Sequence, residues 1–595
     1  MRSVTKRVLS VVLTLLLVCT LCLSAFASSG CQCGNVPYVV VSGMAVKPLN
    51  GFDSNDNLIK VYPPETKDVL KSISRVVLPT AELIHSGDWG RFANKAVPAV
   101  AQIFSPIACD DDGNSKHNIT TPFFDSSMEN YDFYYTLGDK DENAVIHAGV
   151  DAVGADHVFY FNYDWRLDPL QHADELNNFI ESVKEQTQHD KVTLLPMSMG
   201  GTVVLSYLEK YGVEDVHNCI FISTAFQGTS VIGELFNGEF YFDKDALKNR
   251  AIQLGRTRIR KTLLSLLLNT VDRAGAFDAV MPLLDELVEN GAEVFSEECI
   301  KNIFGKMPGI WALAADKDYE TAKESVLDEE INRNLIDRID YYHYNVQQKC
   351  SEILNEAIEN GCFISIVAQY NMQGLPVTVS YDNNNDFLID TQYGSAGAVC
   401  AKIDETLGDD YVQQNTQCGH NHISPDNVID ASTCLFPELT WFIKDMAHID
   451  FNYATQAPDF ITWLAGANEQ YTVHSNELYP QFMRFDYDEG TLGAFSEEDM
   501  ESCSTFEIVK QAAEEQNEKS IKTKEAMLKT NIQTVEDTKK GYNSAEPPET
   551  QDVAIENKTN NTMSEGFPVS FSALIVAVGC VGFPTKVFHK KKNEE

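Results

Sequence analysis

Apolar and polar positions alternate between two periods along the middle of the chain. Five short runs are apolar, β-branched or aromatic and of strand length: "YVVVSG" (Tyr38–Gly43), "HVFYFNYDW" (His157–Trp165), "KVTLLPMS" (Lys191–Ser198), "NCIFISTA" (Asn218–Ala225) and "CFISIVAQYN" (Cys362–Asn371). A sixth, "LTWFIK" (Leu439–Lys444), precedes a loop and the helix-like "APDFITWLAGA" (Ala457–Ala467). Between the strands lie stretches of helical period, such as Ala173–Thr187, where Leu176, Phe179, Ile180 and Val183 share one face. Strands separated by helices imply a mostly parallel sheet covered on both faces, so the fold class is α/β. Residues 226–345 are too many for a loop, and "TLLSLLLNTVDRAGAFDAVMPLLDELVENGAEVF" (Thr262–Phe295) carries apolar residues at helical spacing. This predicts a helical insertion between two strands.

The two ends follow other patterns. Arg2, Lys6 and Arg7 precede an apolar run, Val8–Leu23, and a small-residue cleavage site, Ala25-Phe26-Ala27. That order predicts a removable export leader over 1–27 and a mature chain from about Ser28. The alternative, an uncleaved membrane helix, needs a longer run. Near the other end, no charge occurs from Gly566 to Thr585, and Lys586, Lys590, Lys591 and Lys592 follow. A span of about 20 residues with a basic far side predicts an anchor over 567–588 and an internal tail over 589–595. The polar, Lys/Glu-rich segment 510–566 reads as a stalk, leaving 28–509 as the folded domain. The chain is therefore expected to be exported and held at the cell surface by its C-terminal helix.

Composition adds limits. A hydrophobic content of 44% in 595 residues is ample for a large core. With 87 acidic against 46 basic residues the formal charge is −41, which repels phosphate backbones and argues against a nucleic-acid partner. Of the 14 cysteines, Cys19, Cys22 and Cys580 fall in the terminal apolar segments. An exported chain can form disulfides among the others, although Cys31 and Cys33 are too close in sequence to pair without strain. No repeated Cys-x-x-Cys pattern points to a structural zinc site. His420 and His422, with Asp426 nearby, make an incomplete ligand set for a metal.

Candidate chemistry centres on Ser198, at the junction of a predicted strand (Val192–Leu195) and a predicted helix (Thr202–Lys210). In the nucleophile elbow of an α/β-hydrolase, Gly-x-Ser-x-Gly, small neighbours let the chain bend sharply and project the hydroxyl above the sheet. Here the sequence is Pro196-Met197-Ser198-Met199-Gly200-Gly201, with the second glycine present and the first replaced by proline. The alternative is an inert turn.

Three further segments bear on that choice: "VVVSGMAVKPL" (Val39–Leu49), "NYDWRLDP" (Asn162–Pro169) and "MPGIWALAADKDYE" (Met307–Glu320). Together with the Ser198 turn they resemble the lecithin:cholesterol acyltransferase-like branch of the α/β-hydrolases, over roughly residues 38–465. The resemblance implies a helical cap over about 226–345, a catalytic acid after the next-to-last strand and a base after the last. Asp386, in "DFLID", stands where that family has its acid, with Phe387 in place of the usual glycine. Asp390 and then Asp382 are the alternatives. His448, after "LTWFIK" and before the last helix, fits the base and completes the order Ser, Asp, His; His420 and His422 stand before that strand. The amides of Met199 and of Met44, after the first strand, would stabilise an oxyanion.

Acyl transfer by such a triad requires no cofactor and no metal. The expected function is serine-dependent ester hydrolysis or acyl transfer on a lipid-like or other ester. The alternative is an envelope binding protein that keeps the fold without activity, a reading favoured by Pro196 and Phe387.

Overall fold

The computed structural model describes residues 31–496 apart from 32, 54, 132–139, 449 and 454–456. The expected leader, stalk, anchor and tail lie outside the described residues. Among the described residues no helix is long and apolar enough to cross a membrane.

Eight strands share one sheet: β1 (Tyr38–Val41), β2 (Val158–Phe161), β3 (Val192–Pro196), β4 (Val216–Ile222), β5 (Phe363–Tyr370), β6 (Thr440–Lys444), β7 (Phe482–Asp486) and β8 (Thr491–Ala494). Their spatial order is β2-β1-β3-β4-β5-β6-β7-β8. Every neighbouring pair is parallel except β7 with β8. The sequence pattern locates β1 to β6 but takes β6 for the last strand, which is incorrect. In β7, "FMRFD", the half-buried Arg484 and Asp486 interrupt the apolar run, and Arg484 Nε donates to Asp445 Oδ2 at 3.0 Å. An edge-region strand of this kind lacks the continuous apolar signature of the centre.

Side chains alternate across the sheet and build a core on each face. Val39 and Val41 of β1 join Phe161, Leu194 and Phe221 under helices Pro169–Thr187 and Gly200–Tyr211. Tyr38 and Val40 point the other way, with Tyr160, Leu195, Trp441 and Ile443, under helices Lys140–Val153 and Ala457–Ala465. The fold is thus an α/β-hydrolase sheet with helices on both sides. The 226–345 insertion is helical, as the spacing predicts, and includes helices Arg258–Arg273 and Ala276–Phe295. Helix Trp89–Ala101 packs against the latter and helix Thr66–Ser86 against Trp89–Ala101, and a hairpin of Leu49–Phe52 with Leu58–Tyr62 precedes them; the sequence pattern marks none of these.

This topology positions the site. Because β1 to β7 are parallel, the segments after β1, β3, β5 and β6 all emerge at one edge of the sheet. The chain leaves β1 for β2 on one side and returns to β3 on the other, so β1 and β3 flank the point where the winding reverses, where α/β sheets open a crevice.

Candidate active site

Ser198 occupies a sharp turn between β3 and helix Gly200–Tyr211. The Met197 amide donates to Val41 O at 3.1 Å, the Ser198 amide to Ile222 O at 2.9 Å, and the Gly200 amide back to Met197 O at 2.7 Å. Ser198 itself has φ of +53°, the left-handed conformation of an elbow, despite Pro196 in place of the first glycine. The two glycines that follow are required by contact. A Cβ on Gly200 would stand 2.5 Å from Val41 O, and one on Gly201 would stand 2.0 Å from Thr224 Cγ2. Only bare backbone lets the helix start this close to β1 and β4.

Asp386 and His448 reach Ser198 from the loops after β5 and β6. His448 Nε2 is 2.9 Å from Ser198 Oγ, and His448 Nδ1 is 2.7 Å from Asp386 Oδ2. The His448 amide also donates to Asp386 O at 2.7 Å, so the two loops are tied by main chain as well as side chain. Asp386 is 2% exposed, and its other oxygen accepts from the Leu388 and Ile389 amides at 3.0 and 2.8 Å. A carboxylate only accepts, so the bond to His448 puts the proton on Nδ1 and leaves the Nε2 lone pair facing the serine hydroxyl.

Phe387 departs from the glycine of the resembling family and has φ of +92°, a strained conformation for a side-chain-bearing residue. Its buried ring lies under the guanidinium of Arg250, 3.6 Å from the ring centroid, and packs with Met372 and Ala447. Burial pulls the Arg250 pKa down to about 10, while the negative charge of Asp386 works in the opposite direction. Arg250 is a residue the sequence reading missed. It lies in the insertion, with no motif around it.

The segment after β1 closes the other side. A Cβ on Gly43 would stand 3.3 Å from Ser198 Cβ, which places the backbone leading into Met44 against the serine. Among the described residues, the amides of Met44 and Met199 donate to no protein acceptor. The two remaining motifs meet beside them. A Cβ on Gly309, in "MPGIW", would stand 2.1 Å from Trp165 O and 2.7 Å from Met199 Cε, and the Gly309 amide donates to Arg166 O at 3.0 Å. Arg166 is fully buried and pairs with Asp164 at 2.5 Å. The Tyr-Asp-Trp-Arg segment is thus a platform on which the base of the insertion docks against the residue after Ser198.

The rival residues are elsewhere. Asp390 accepts from the Ser230 amide at 2.9 Å and from Asn383 Nδ2 at 2.9 Å, and Asp382 pairs with Lys402 at 2.7 Å. His422 is buried with its Nδ1 2.6 Å from Gln481 Oε1, and His420 Nδ1 lies 2.7 Å from Glu438 Oε1. Asp426 does not join these histidines; it pairs with Lys444 at 2.5 Å. Cys418 and Glu438 stand with them instead, the ligating atoms all lying within 4.8 Å of one another. The spacing Cys418-x-His420-x-His422 was the available signal. The described cysteines are free thiols.

Parallel sheet, elbow and loop-borne partners define a hydrolase-fold chain. A family model described as alpha/beta hydrolase fold matches residues 119–284, a stretch that includes Ser198 but neither Asp386 nor His448. Among solved structures, one described as the crystal structure of Tle4-Tli4 complex is similar over 73% of this chain and 98% of its own, at 12% identity and a TM-score of 0.27. No curated protein matches the chain.

Proposed function

We propose that the protein is a serine esterase, lipase or acyltransferase of the lecithin:cholesterol acyltransferase-like kind, with Ser198 as nucleophile, His448 as base and Asp386 as the orienting acid. The observation that carries this is the unbroken chain of contacts, 2.9 Å from Ser198 Oγ to His448 Nε2 and 2.7 Å from His448 Nδ1 to Asp386. His448 takes the hydroxyl proton as Ser198 Oγ attacks the ester carbonyl, and Asp386 stabilises the imidazolium that forms. The Met199 and Met44 amides receive the negative charge that develops on the carbonyl oxygen. The imidazolium then protonates the departing alcohol, leaving an acyl-serine for water or a second alcohol to discharge.

An apolar substrate is supported by surface chemistry. Helices Thr66–Ser86 and Arg258–Arg273 leave Leu70, Val77, Leu78, Ile259, Leu263 and Leu267 exposed, with Leu78 at 67% and Ile259 at 71%. Apolar side chains left exposed on these two helices suit an acyl chain or a lipid surface better than bulk water. The same reading includes export by the 1–27 leader and retention by the 567–588 anchor, which puts the substrate at the envelope surface.

The inactive-binding-protein reading rests on Pro196 and Phe387, and both stand in a turn and a loop that keep the triad contacts. Labelling with a fluorophosphonate probe followed by peptide mapping tests the choice. Modification at Ser198, lost in Ser198→Ala and in His448→Ala, is the expected result. A folded wild-type protein that takes no label and turns over no ester of any chain length overturns the proposal.

A further inference from the structure

We propose that Cys31, Cys33, His157 and His189 bind one zinc ion in a structural site at the edge of the sheet opposite Ser198. The four side chains come from three separate segments. Cys31 and Cys33 precede β1; His157 stands immediately before β2, and His189 lies between helix Pro169–Thr187 and β3. Since β2 and β3 are the two neighbours of β1, their leading segments and the one before β1 emerge together at the amino edge of the parallel strands. The topology brings the four residues together there, away from the catalytic loops.

The spacing suits four ligands around one ion. One ligating atom from each residue lies within 4.8 Å of the other three. Cys33 Sγ is 3.3 Å from His189 Nε2 and 3.7 Å from His157 Nε2. A tetrahedral zinc with ordinary Zn–S and Zn–N bonds sets its sulfur and nitrogen ligands about 3.5 Å apart. The two imidazoles meet edge to face at 77°, with centroids 5.3 Å apart, and both Nε2 atoms lie within 3.7 Å of Cys33 Sγ. Two thiolates and two imidazoles form a closed Cys₂His₂ set, which selects zinc over hard cations and leaves no position for a reacting water.

Surrounding contacts support the arrangement. His157 Nδ1 lies 3.1 Å from Asp156 Oδ1, an ion-pair distance without hydrogen-bond alignment, and Nε2 is the ring nitrogen nearer Cys33 Sγ. The Asn35 amide points at Cys33 Sγ at 3.4 Å, a donor that offsets thiolate charge. The Cys31 amide donates to Gln188 O at 2.9 Å, tying the first described residue to the loop that carries His189. A disulfide between Cys31 and Cys33 would strain so small a ring, whereas zinc uses both sulfurs as they stand.

The test is zinc content of the full-length protein purified without chelator, measured by mass spectrometry of the digested metal. Wild type is expected to carry one zinc per chain more than Cys31→Ser/Cys33→Ser and more than His189→Ala. Zinc held at the Cys418 cluster would be the same in all three, so the difference alone is read. In a second measurement, cobalt added to chelator-stripped wild type should show thiolate-to-cobalt charge transfer that the double serine variant loses, in part if Cys418 also binds cobalt. Chelator should lower the wild-type melting temperature more than that of the variant. Equal zinc in wild type and variants, an unchanged cobalt spectrum, or a Cys31–Cys33 disulfide in the exported protein overturns the proposal.

Discussion

On the proposed mechanism, Asp386→Asn and Asp390→Asn separate catalysis from support within one loop. Asp386 Oδ1 accepts two backbone amides, at 3.0 and 2.8 Å, which only an oxygen can satisfy. In the asparagine variant the side-chain oxygen stays with those amides and the NH₂ group turns to His448. That donor forces His448 Nδ1 to accept, which moves the ring proton to Nε2 and removes the lone pair that Ser198 needs. Loss of the correct tautomer in a serine triad lowers kcat by about 10⁴, or about 5 kcal/mol in the barrier. KM should change little, because Asp386 is buried away from any substrate. Asp390 touches neither His448 nor Ser198; its oxygens hold the Ser230 amide, Ser230 Oγ and Asn383 Nδ2. Asp390→Asn weakens charge-assisted bonds at a buried site and should cost about 1–3 kcal/mol of stability with kcat within a few-fold of wild type. Steady-state turnover of a short-chain activated ester, with urea unfolding of the same samples, measures both. If folded Asp390→Asn loses more turnover than Asp386→Asn, the assignment of the acid is refuted.

Two further outcomes follow from packing and charge. Gly201→Ala drives a methyl to 2.0 Å from the buried Thr224 Cγ2 and should destabilise by about 1–3 kcal/mol; Thr224→Ser, which deletes that methyl, should recover part of the loss in thermal melts, and no recovery would mean the clash is not with Thr224. Burial raises the Asp318 pKa to about 6, against the attraction of Lys317. A carboxyl bound more tightly to its proton in the folded state stabilises fully below its unfolded value, and that contribution is lost as pH rises through about 6. Asp318→Asn should therefore gain stability relative to wild type as pH rises from about 4 to above 6, and parallel unfolding curves across that window would contradict it.

The legible parts of this protein are those where one physical demand acts on adjacent residues. Strands β1 to β6 sit where the sheet is covered on both faces, so their apolar runs are continuous and readable. Ser198 is legible because the glycines after it answer contacts with the two flanking strands, an excluded volume that leaves its mark in sequence. Asp386 and His448 are legible only through their order relative to strands. Arg250, by contrast, meets Phe387 from 137 residues away in sequence, and nothing local to either residue records the contact. The Cys31, Cys33, His157 and His189 cluster is equally silent, because its members stand at the starts of three strands whose adjacency is a property of the winding. The same holds for Glu438 beside His420. Asp426 is nearer in sequence, but Lys444 at the end of β6 holds it instead.

Pro196 and Phe387 depart from the hydrolase pattern in different ways, and the costs can be located. Along β3, alternate amides face alternate neighbours. Those of Thr193 and Met197 donate to Pro37 and Val41 on the β1 side, and those of Val192 and Ser198 donate to Asp215 and Ile222 on the β4 side. By that alternation the missing amide of Pro196 would have faced β4, where the paired register breaks off after Leu194 with Cys219 and resumes at Met197 with Ile222. The proline therefore forfeits one ladder bond, worth about 1 kcal/mol, and leaves the φ of Ser198 untouched. Phe387 instead takes on backbone strain of about 1–2 kcal/mol at a left-handed position. Burying its ring under Arg250 returns more than that, since removing a buried phenyl typically costs about 3–5 kcal/mol and a desolvated cation adds further attraction. Both terms enter the stability of the fold. Neither lengthens the contacts among Ser198, His448 and Asp386, because those are fixed by the Ile222 carbonyl and by the amides of Leu388, Ile389 and His448, all of which remain in place.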